Sequence, residues 1–520
     1  MTDPASLAPL LARYHQLVGD PAGTDERLRL AATFAAADGR ATAWMQLAFE
    51  CFSAFRFEAG QDALVRTLAV DPDFLPARWA QFQLPHCVAP RSAAEAEAYR
   101  QRWWRGLSEF EALDFRDPRW RSQVWGCVGQ CTAFYLHYLG ECTAEQRRYG
   151  ALVHRMMAAL DPGLEVRGRA ARARPRVLFV STYLHEHTVG RLFAPLVLGL
   201  DRARLDVHVL QLDPVDDAIS RRLSAGTTLH PGPRQAPQWR QLIAQLAPDA
   251  IVYLDIGMHP MTQGLAALRL APRQCVMWGH PVTTGLPTLD AFLSPEAMEP
   301  FAAEAHYTEH LLRLPGLGHG LDPPPAAPIP ADLQRAPGSI ELFCAQSVYK
   351  LLPEHDELFA RILQRLPQAR LHLIPHQDPH VRDWLQTRLA RSCRPEQLVL
   401  HPMQSLSGFL GIAVACDLAL DSLVWSGGMS SLDLLGAGLP VIALPGATMR
   451  SRQSAALLTR LDLPELIARD ADDYVERAVA LALDAPRRAA VREQLRARAA
   501  RLYSDRDAVV AAIQDALLAR

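Results

Sequence analysis

Short runs of aliphatic and β-branched residues alternate with helical stretches through most of this sequence after residue 175. A first set of runs occupies residues 177–180, 207–210, 251–254, 275–278 and 291–293. A second set occupies residues 340–343, 371–374, 398–400, 418–420 and 441–444. Apolar runs that are continuous rather than alternating, and that helices separate, indicate parallel strands covered on both faces. The pattern predicts an α/β fold class.

A proline-rich break at residues 321–338 separates the two sets of strands. We therefore expect two Rossmann-like parallel-sheet domains, one over residues 175–320 and one over residues 338–520, the latter ending in amphipathic helices. Two such domains enclose a cleft between the carboxyl ends of their strands, where open α/β sheets bind ligands.

Residues 1–165 predict an all-α domain instead, because apolar residues recur every three or four positions between turn-forming breakers. Residues 43–77 resemble one tetratricopeptide unit, and no further copy of that repeat is found. Six of the ten tryptophans lie here: Trp44, Trp79, Trp103, Trp104, Trp120 and Trp125. They either pack between helices or anchor a surface that docks an acceptor or partner protein. An arginine-rich linker, residues 167–176, leads to the first strand.

The charge balance and the cysteine pattern narrow the function classes. With 54 basic and 56 acidic residues, the chain has no basic excess to neutralise a nucleic-acid backbone. No apolar run reaches the roughly 18 residues that span a bilayer, and the first residues lack the pattern of a secretory signal. The nine cysteines include no C-x-x-C pair. We expect a cytoplasmic protein with buried thiols, no membrane span and no nucleic-acid partner.

Lys350 is the only lysine among the 54 basic residues. A lone lysine in an arginine-rich sequence suggests chemistry that needs a compact, flexible ammonium rather than a planar guanidinium. Lys350 follows the strand at 340–343, and Gln346 lies one turn earlier, within reach of the same ligand. The alternative is that the single lysine is a chance feature of an arginine-rich sequence and has no chemical role.

A second informative stretch leaves the strand at 418–420, passes two glycines and enters a helix. We call residues 427–431 the glycine turn; it consists of Gly427, Gly428, Met429, Ser430 and Ser431. The glycines permit close backbone approach, and the helix start offers free N–H groups and a positive dipole to an anion. Asp433, one turn further, suits the hydroxyls of a ribose. The alternative is an ordinary capped turn between a strand and a helix.

Parallel strands end at one edge of a sheet, so Lys350 and the glycine turn are expected to face one ligand. An ammonium and a helix start together can hold a nucleotide diphosphate and stabilise the charge that develops as it leaves. No D-x-D triplet follows a strand of either sheet, so we expect no metal ion and no other cofactor.

Three histidines follow strands and are candidates for proton transfer or ligand contact. His187 follows the first strand, His280 follows the run at 275–278, and His401 follows the run at 398–400. The loop of His280 also contains two hydroxyls and a glycine, at Thr283, Thr284 and Gly285. For each histidine the alternative is a purely structural role in a turn.

Several stretches, taken together and in order, resemble the family 41 glycosyltransferases, in particular the bacterial SPINDLY-like relatives of protein O-GlcNAc transferase. The resemblance runs from about residue 68 to residue 518 and includes residues 134–140, 187–190, 255–258, 278–286, 346–350 and 427–433. It implies a GT-B arrangement of two Rossmann-like domains after a helical domain. It also implies metal-independent, inverting transfer of a sugar from a UDP donor to a protein side chain.

The resemblance also implies roles for single residues. Lys350 matches the family's lysine on the donor diphosphate, the glycine turn its phosphate-binding helix start, and Asp433 its acid near the uridine ribose. His187 lies where relatives place a histidine beside the acceptor hydroxyl, a proposed base. His280 resembles a residue of the related adhesin asparagine glucosyltransferases. Met429 departs from the family pattern, in which threonine or asparagine is common.

We therefore expect a glycosyltransferase that moves a hexose or N-acetylhexosamine (glucose or N-acetylglucosamine) from UDP to a polypeptide, with a serine or threonine hydroxyl preferred over asparagine as acceptor. One alternative is a GT-B transferase with a lipid or small-molecule acceptor, or a UDP-sugar epimerase on the same scaffold. Another is a catalytically degenerate scaffold that binds a UDP-sugar or a partner protein, which the presence of Met429 favours.

Overall fold

The computed structural model describes residues 4–163, 166, 168, 172–323, 333, 335 and 337–518. Parts of both predicted linkers, at 167–176 and 321–338, therefore lie outside the described residues. Among the described residues, no helix is both long enough and apolar enough to cross a bilayer.

The N-terminal part of the chain, which we call the helical region, consists of helices joined by short turns. They are α1 (Pro4–Gln16), α2 (Thr24–Asp38), α3 (Ala41–Ser53), α4 (Phe57–Val70), α5 (Leu75–Gln83), α6 (Ala93–Glu111), α7 (Pro118–Arg121), α8 (Val124–Val128) and α9 (Thr143–Leu160). Helices α3 and α4 pack closely because Gly60 lies against Phe52, where a Cβ atom would come within 2.7 Å of the ring. Trp79 and Trp103 are fully buried, so these two tryptophans pack between helices.

The first lobe is a seven-stranded parallel sheet in the order β3-β2-β1-β4-β5-β6-β7. Its strands are β1 (Arg176–Ser181), β2 (Asp206–Gln211), β3 (Thr228–Pro231), β4 (Ala250–Tyr253), β5 (Arg273–Met277), β6 (Ala291–Pro295) and β7 (His310–Leu314). Helices α10 (Thr188–Gly199), α11 (Ala218–Gly226), α12 (Ala236–Leu246) and α13 (Pro260–Ala266) connect the first five. The inner strands are buried along almost their whole length, as a sheet covered on both faces requires.

The second lobe is a five-stranded parallel sheet in the order β10-β9-β8-β11-β12. Its strands are β8 (Ile340–Cys344), β9 (Ala369–Leu373), β10 (Leu398–Leu400), β11 (Leu418–Leu420) and β12 (Val441–Ile442). Its helices are α14 (Pro353–Arg365), α15 (Pro379–Leu389), α16 (Leu406–Ala415), α17 (Met429–Gly436), α18 (Gln453–Arg460), α19 (Ala471–Leu483) and α20 (Ala485–Arg498). In each sheet the order of the strands changes direction once, between β1 and β4 in the first lobe and between β8 and β11 in the second. Open α/β sheets bind ligands in the crevice at such a point.

The last helix, α21 (Arg506–Leu518), returns to the first lobe. The backbone N–H of Asp201 donates to Gln514 Oε1 at 3.0 Å, and that of Leu317 donates to Asp505 at 3.2 Å. The predicted domain boundaries at 165, 175, 320 and 338 stay predictions, and this helix, which the sequence groups with the second lobe, contacts the first.

The helical region touches both lobes at one junction. His137 Nδ1 lies 2.6 Å from His280 Nε2 of the first lobe, and the Tyr138 ring stacks on Trp425 of the second lobe with ring centres 4.5 Å apart. Arg450 of the second lobe also donates a hydrogen bond to the Gly140 carbonyl. These contacts fix the helical region against the mouth of the interlobe cleft.

The α/β fold class, with two parallel sheets after a helical region, is confirmed, and each of the ten apolar runs overlaps a strand. Two strands that the sequence did not predict, β3 and β7, lie at the two edges of the first sheet.

Candidate active site

A cavity of about 240 Å³ lies between the two lobes. The first lobe lines it with residues of α10 and of the loop after β5, namely Thr188, Leu192, Trp278 and Pro281. The second lobe lines it with residues that follow β8 and β11, together with the start of α18: Ala345, Gln346, Ser347, Lys350, Trp425, Gly428, Met429, Ser430 and Gln453. Lys350 and the glycine turn therefore face one cavity, as predicted from the strand ends.

Lys350 lies on a short 3-10 turn, Val348–Lys350, directly after β8. Its ammonium donates to Gln346 Oε1 at 3.0 Å and to the Ser426 carbonyl at 3.1 Å. Burial lowers the pKa of Lys350 to about 8, although the carboxylate of Asp421 opposes that shift. An ammonium has three N–H groups, so one remains for a ligand. No carboxylate of the described residues forms an ion pair with it.

The glycine turn forms the start of α17, where Gly428 provides no side-chain cap. The first N–H groups of this helix are therefore open to a ligand, and the helix dipole favours an anion there. A Cβ atom at Gly427 would collide with the Ser431 hydroxyl and crowd the Gln346 amide, so the turn requires glycine at this position. Ser431 itself is buried and bonded to Ser454 Oγ at 2.7 Å, whereas Ser430 and Met429 line the cavity.

Asp421, at the end of β11, holds this arrangement together. Its carboxylate accepts hydrogen bonds from the Gly427 N–H at 2.8 Å, the Ser426 hydroxyl at 2.6 Å and the Gln346 amide at 3.2 Å. Burial raises the pKa of Asp421, and the hydrogen bonds from Ser426 and Gly427 act in the opposite direction. One buried carboxylate thus supports both the glycine turn and the glutamine that binds Lys350.

Asp433 is paired across the cleft. Its two carboxylate oxygens accept hydrogen bonds from Arg191 of α10 at 2.9 and 3.1 Å. Burial raises the pKa of Asp433, and the Arg191 guanidinium counteracts that shift. Arg191 therefore opposes the effect of burial on this acid and joins the first lobe to the second.

The family resemblance implies that Asp433 lies near the ribose of the donor, and on that expectation this ion pair should affect donor use in a pH-dependent way. In an Arg191→Gln variant the pKa of Asp433 rises further, so donor affinity should fall more steeply than in the wild type as the pH drops from 7 to 5. A double-mutant cycle with Asp433→Asn, measured by urea unfolding at pH 7, should give a coupling of about 1–2 kcal/mol. Additive effects of the two substitutions on the free energy of unfolding would contradict a stabilising ion pair.

His187 caps α10, where its Nδ1 accepts a hydrogen bond from the Val189 N–H at 3.3 Å. Its ring stacks on Tyr183 with centres 4.5 Å apart, and burial lowers the pKa of His187 to about 4. A neutral imidazole that accepts at Nδ1 carries its proton on Nε2. His187 next to the cavity is thus a hydrogen-bond donor, which disfavours the role of base expected from sequence.

The structure places the other predicted site residues elsewhere. His280 is buried against His137, and burial lowers its pKa to about 3. The hydroxyls of Thr283 and Thr284 both donate to Glu309, and Gly285 lies against the backbone of α9. His401 Nε2 lies 2.8 Å from His372 Nδ1. None of these residues lines the cavity.

Some residues that the structure brings to the cleft were not predicted. The position of Asp421 could have indicated its role, because it directly follows the strand that leads into the glycine turn. Nothing in the local sequence around Arg191 or Gln453 indicates that they lie at the cleft. Among the described residues, no three His, Cys, Asp or Glu side chains converge closely enough to hold a metal ion.

The two lobes, the uncapped helix start and the cleft lysine define a GT-B type of architecture, and comparison with known proteins agrees. Residues 333–508 match the model of glycosyl transferase family 41. The resemblance to this family that the sequence indicates is therefore confirmed.

Particular relatives extend the match beyond that segment. An O-GlcNAc transferase mutant from Thermobaculum terrenum has a solved structure that is similar over 99% of this chain and 98% of its own, with a TM-score of 0.72 and 26% identity. The probable UDP-N-acetylglucosamine–peptide N-acetylglucosaminyltransferase SEC of Arabidopsis thaliana is 25% identical over 64% of this chain and 36% of its own length. A UDP-glucose:protein N-β-glucosyltransferase of Actinobacillus pleuropneumoniae is 30% identical over 45% of this chain and 38% of its own. The chain thus spans less than two-fifths of the length of these two curated relatives.

Proposed function

We propose that this chain is a UDP-sugar-dependent glycosyltransferase that transfers glucose or N-acetylglucosamine to a protein side chain, with a serine or threonine hydroxyl preferred. The observation that carries the proposal is the shared cavity of Lys350 and the open start of α17. Both lie within the segment that matches the family 41 model. Named relatives use UDP-N-acetylglucosamine or UDP-glucose and act on peptide or protein.

In the proposed reaction, the acceptor oxygen attacks the anomeric carbon from the face opposite UDP. The bond from that carbon to the phosphate oxygen breaks, and its electron pair stays on UDP. Lys350 and the first N–H groups of α17 then stabilise the charge that develops on the diphosphate. They do so without reorganisation because Asp421 and Gln346 already hold them in place.

The acceptor hydroxyl loses its proton when its oxygen bonds to the anomeric carbon, and some group must accept that proton. Among the described residues that line the cavity there is no carboxylate and no imidazole. His187 precedes the cavity-lining Thr188, and its Nε2 carries a proton because its Nδ1 accepts from Val189. A phosphate oxygen of the donor becomes more basic as the glycosidic bond breaks, so we assign the proton to that oxygen. His187 donates Nε2–H to the acceptor oxygen and thereby orients it.

This assignment predicts different outcomes for two His187 variants. His187→Ala should lower kcat about 10²-fold because a donor in the reaction site is lost. His187→Gln, whose amide can still donate, should stay within about tenfold of the wild type. With a pKa of about 4, His187 should contribute no ionisation to kcat/KM between pH 5.5 and 8. A group titrating near pH 6.5 that disappears in both variants would show that His187 is the base after all.

Transfer to protein is tested by incubating the purified chain with UDP-glucose or UDP-N-acetylglucosamine and a cell lysate, followed by intact-protein mass spectrometry. The proposal expects mass increments of one hexose or one N-acetylhexosamine on polypeptides. Sugar found only on lipid or small molecules would favour the GT-B transferase with a non-protein acceptor, and a changed but untransferred donor would favour an epimerase.

Met429 supports a second candidate, a scaffold that binds UDP-sugar without turnover. Its apolar side chain lines the cavity at the helix start, where a hydroxyl or amide would add a hydrogen bond to the diphosphate. Calorimetric binding of UDP-sugar with neither transfer nor hydrolysis would establish this function instead. For either function we place the chain in the cytoplasm, in keeping with nine unpaired cysteines of which eight are buried.

A further inference from the structure

A second cavity, of about 210 Å³, lies between the helical region and the second lobe. The loop at residues 85–91, helix α6 and Tyr349 form much of its wall, and most of that wall is apolar. It is separated from the interlobe cavity by the stacked rings of Tyr138 and Trp425 and by the turn that carries both Tyr349 and Lys350. This cavity is therefore a distinct space next to the candidate active site.

The size of the cavity indicates what it can hold. An engineered apolar cavity of about 150 Å³ in another protein binds benzene. A space of 210 Å³ therefore holds one aromatic ring, or a branched aliphatic group, with a short substituent.

Tyrosine phenols provide part of the polar surface of the wall, which also includes His86, Arg91, Glu95 and Arg102. Tyr99, Tyr135, Tyr138 and Tyr349 all line the cavity. Burial raises the pKa of Tyr349 to about 12 and that of Tyr138 beyond it, so both phenols stay neutral and can donate hydrogen bonds. Tyr99 already donates to the Gln83 carbonyl. The ring faces and the phenol donors together favour an apolar ligand that carries a hydrogen-bond acceptor.

The charges around the cavity favour an anionic acceptor. Arg91 is compensated by Glu95 at 3.0 Å. Arg102 stacks over the Tyr99 ring at 5.0 Å and donates one bond, to the Leu84 carbonyl, but it forms no ion pair with any described residue. Its Nε atom is buried and lacks a hydrogen-bond partner among the described residues. A half-buried guanidinium without a counter-ion attracts a carboxylate.

We propose that this cavity binds a small aromatic or branched aliphatic carboxylic acid, with the ring or branched chain among the tyrosines and the carboxylate at Arg102.

The test is isothermal titration calorimetry of the full chain with phenylacetate and with its uncharged analogue 2-phenylethanol. We expect saturable binding of phenylacetate with a Kd of about 1 mM or tighter, and at least tenfold weaker binding of the alcohol. Arg102→Met should weaken phenylacetate binding at least tenfold and leave the alcohol unchanged. Ala98→Trp, which narrows the cavity from helix α6, should abolish binding of both.

Ala94→Trp is the matched control, because Ala94 is exposed on the same helix and does not line the cavity; this variant should bind as the wild type does. Equal affinity for the acid and the alcohol, or phenylacetate binding that survives Ala98→Trp, would overturn the proposal. So would the absence of saturable binding in the correctly folded wild type. None of these outcomes depends on glycosyltransferase activity, so the two proposals fail separately.

Discussion

Replacing Lys350 with alanine should lower kcat by about 10²–10³-fold while the protein remains folded, which is the size of effect seen when one preorganised donor to a developing charge is removed. The ammonium is held by Gln346 and the Ser426 carbonyl, with one N–H left for the diphosphate. Its loss removes a positive charge from the point where the leaving group becomes more negative. Steady-state transfer assays with saturating donor measure the effect directly.

Two further variants make this result specific. Lys350→Arg keeps the charge but replaces a compact ammonium with a planar group, so it should recover only part of the lost rate. Arg394→Ala removes a half-exposed cation from the same lobe and should leave kcat unchanged. If the kcat of Lys350→Ala lies within twofold of the wild-type value, Lys350 does not stabilise the leaving diphosphate.

Asp421→Asn should destabilise the protein by about 2–4 kcal/mol and impair donor binding as well. Asp421 is buried and accepts from Gly427, Ser426 and Gln346. The Oδ1 atom accepts from both Gly427 and Gln346, and the Oδ2 atom accepts from Ser426. An amide has only one accepting oxygen, so its NH₂ group faces either the Ser426 hydroxyl or the other two donors. Either orientation disturbs a group that directs Lys350 or the start of α17 at the cavity, because the Ser426 carbonyl and Gln346 both bind Lys350.

Urea unfolding measures the stability effect, and donor KM reports the loss of geometry in the fraction that stays folded. Asp383→Asn is a suitable control because Asp383 is an exposed carboxylate of the same lobe and should shift the free energy of unfolding by less than about 0.5 kcal/mol. If Asp421→Asn changes the free energy of unfolding as little as the control does and leaves the donor KM unchanged, the Asp421 carboxylate does not organise the glycine turn.

The central strands of both sheets could be predicted because they are buried on both faces and therefore read as continuous apolar runs. The two edge strands of the first sheet, β3 and β7, lack that property. In β3 no residue of Thr228–Pro231 is buried, and in β7 only Leu311 and Leu314 are, so neither produces such a run. The sequence pattern of these two strands resembles that of a loop, and the place of each in the sheet depends on its neighbouring strand.

The same distinction applies to the candidate site. Lys350 and the glycine turn were predicted to meet because parallel strands end at one edge of a sheet, which is a property of topology. The pairing of Arg191 with Asp433 joins two lobes across 242 residues, and no local pattern encodes such a contact. His280 was predicted to face the cleft for the same reason as Lys350, because it follows a strand. In the structure His137 of the helical region covers it. The sequence of the loop that contains His280 does not indicate this packing.

The proposed active site depends most on the ammonium of Lys350 lying against the diphosphate, and this position can be measured because Lys350 is the only lysine in the sequence. Protein grown with ¹⁵N-labelled lysine gives one side-chain nitrogen signal, whose pH titration by NMR reports the pKa of Lys350 alone. We predict a midpoint near pH 8 in the free protein and a clear increase when UDP is bound, because the anion stabilises the charged form. A signal that titrates near the ordinary lysine value of about 10.4, or that stays unchanged at saturating UDP, would contradict the proposed site.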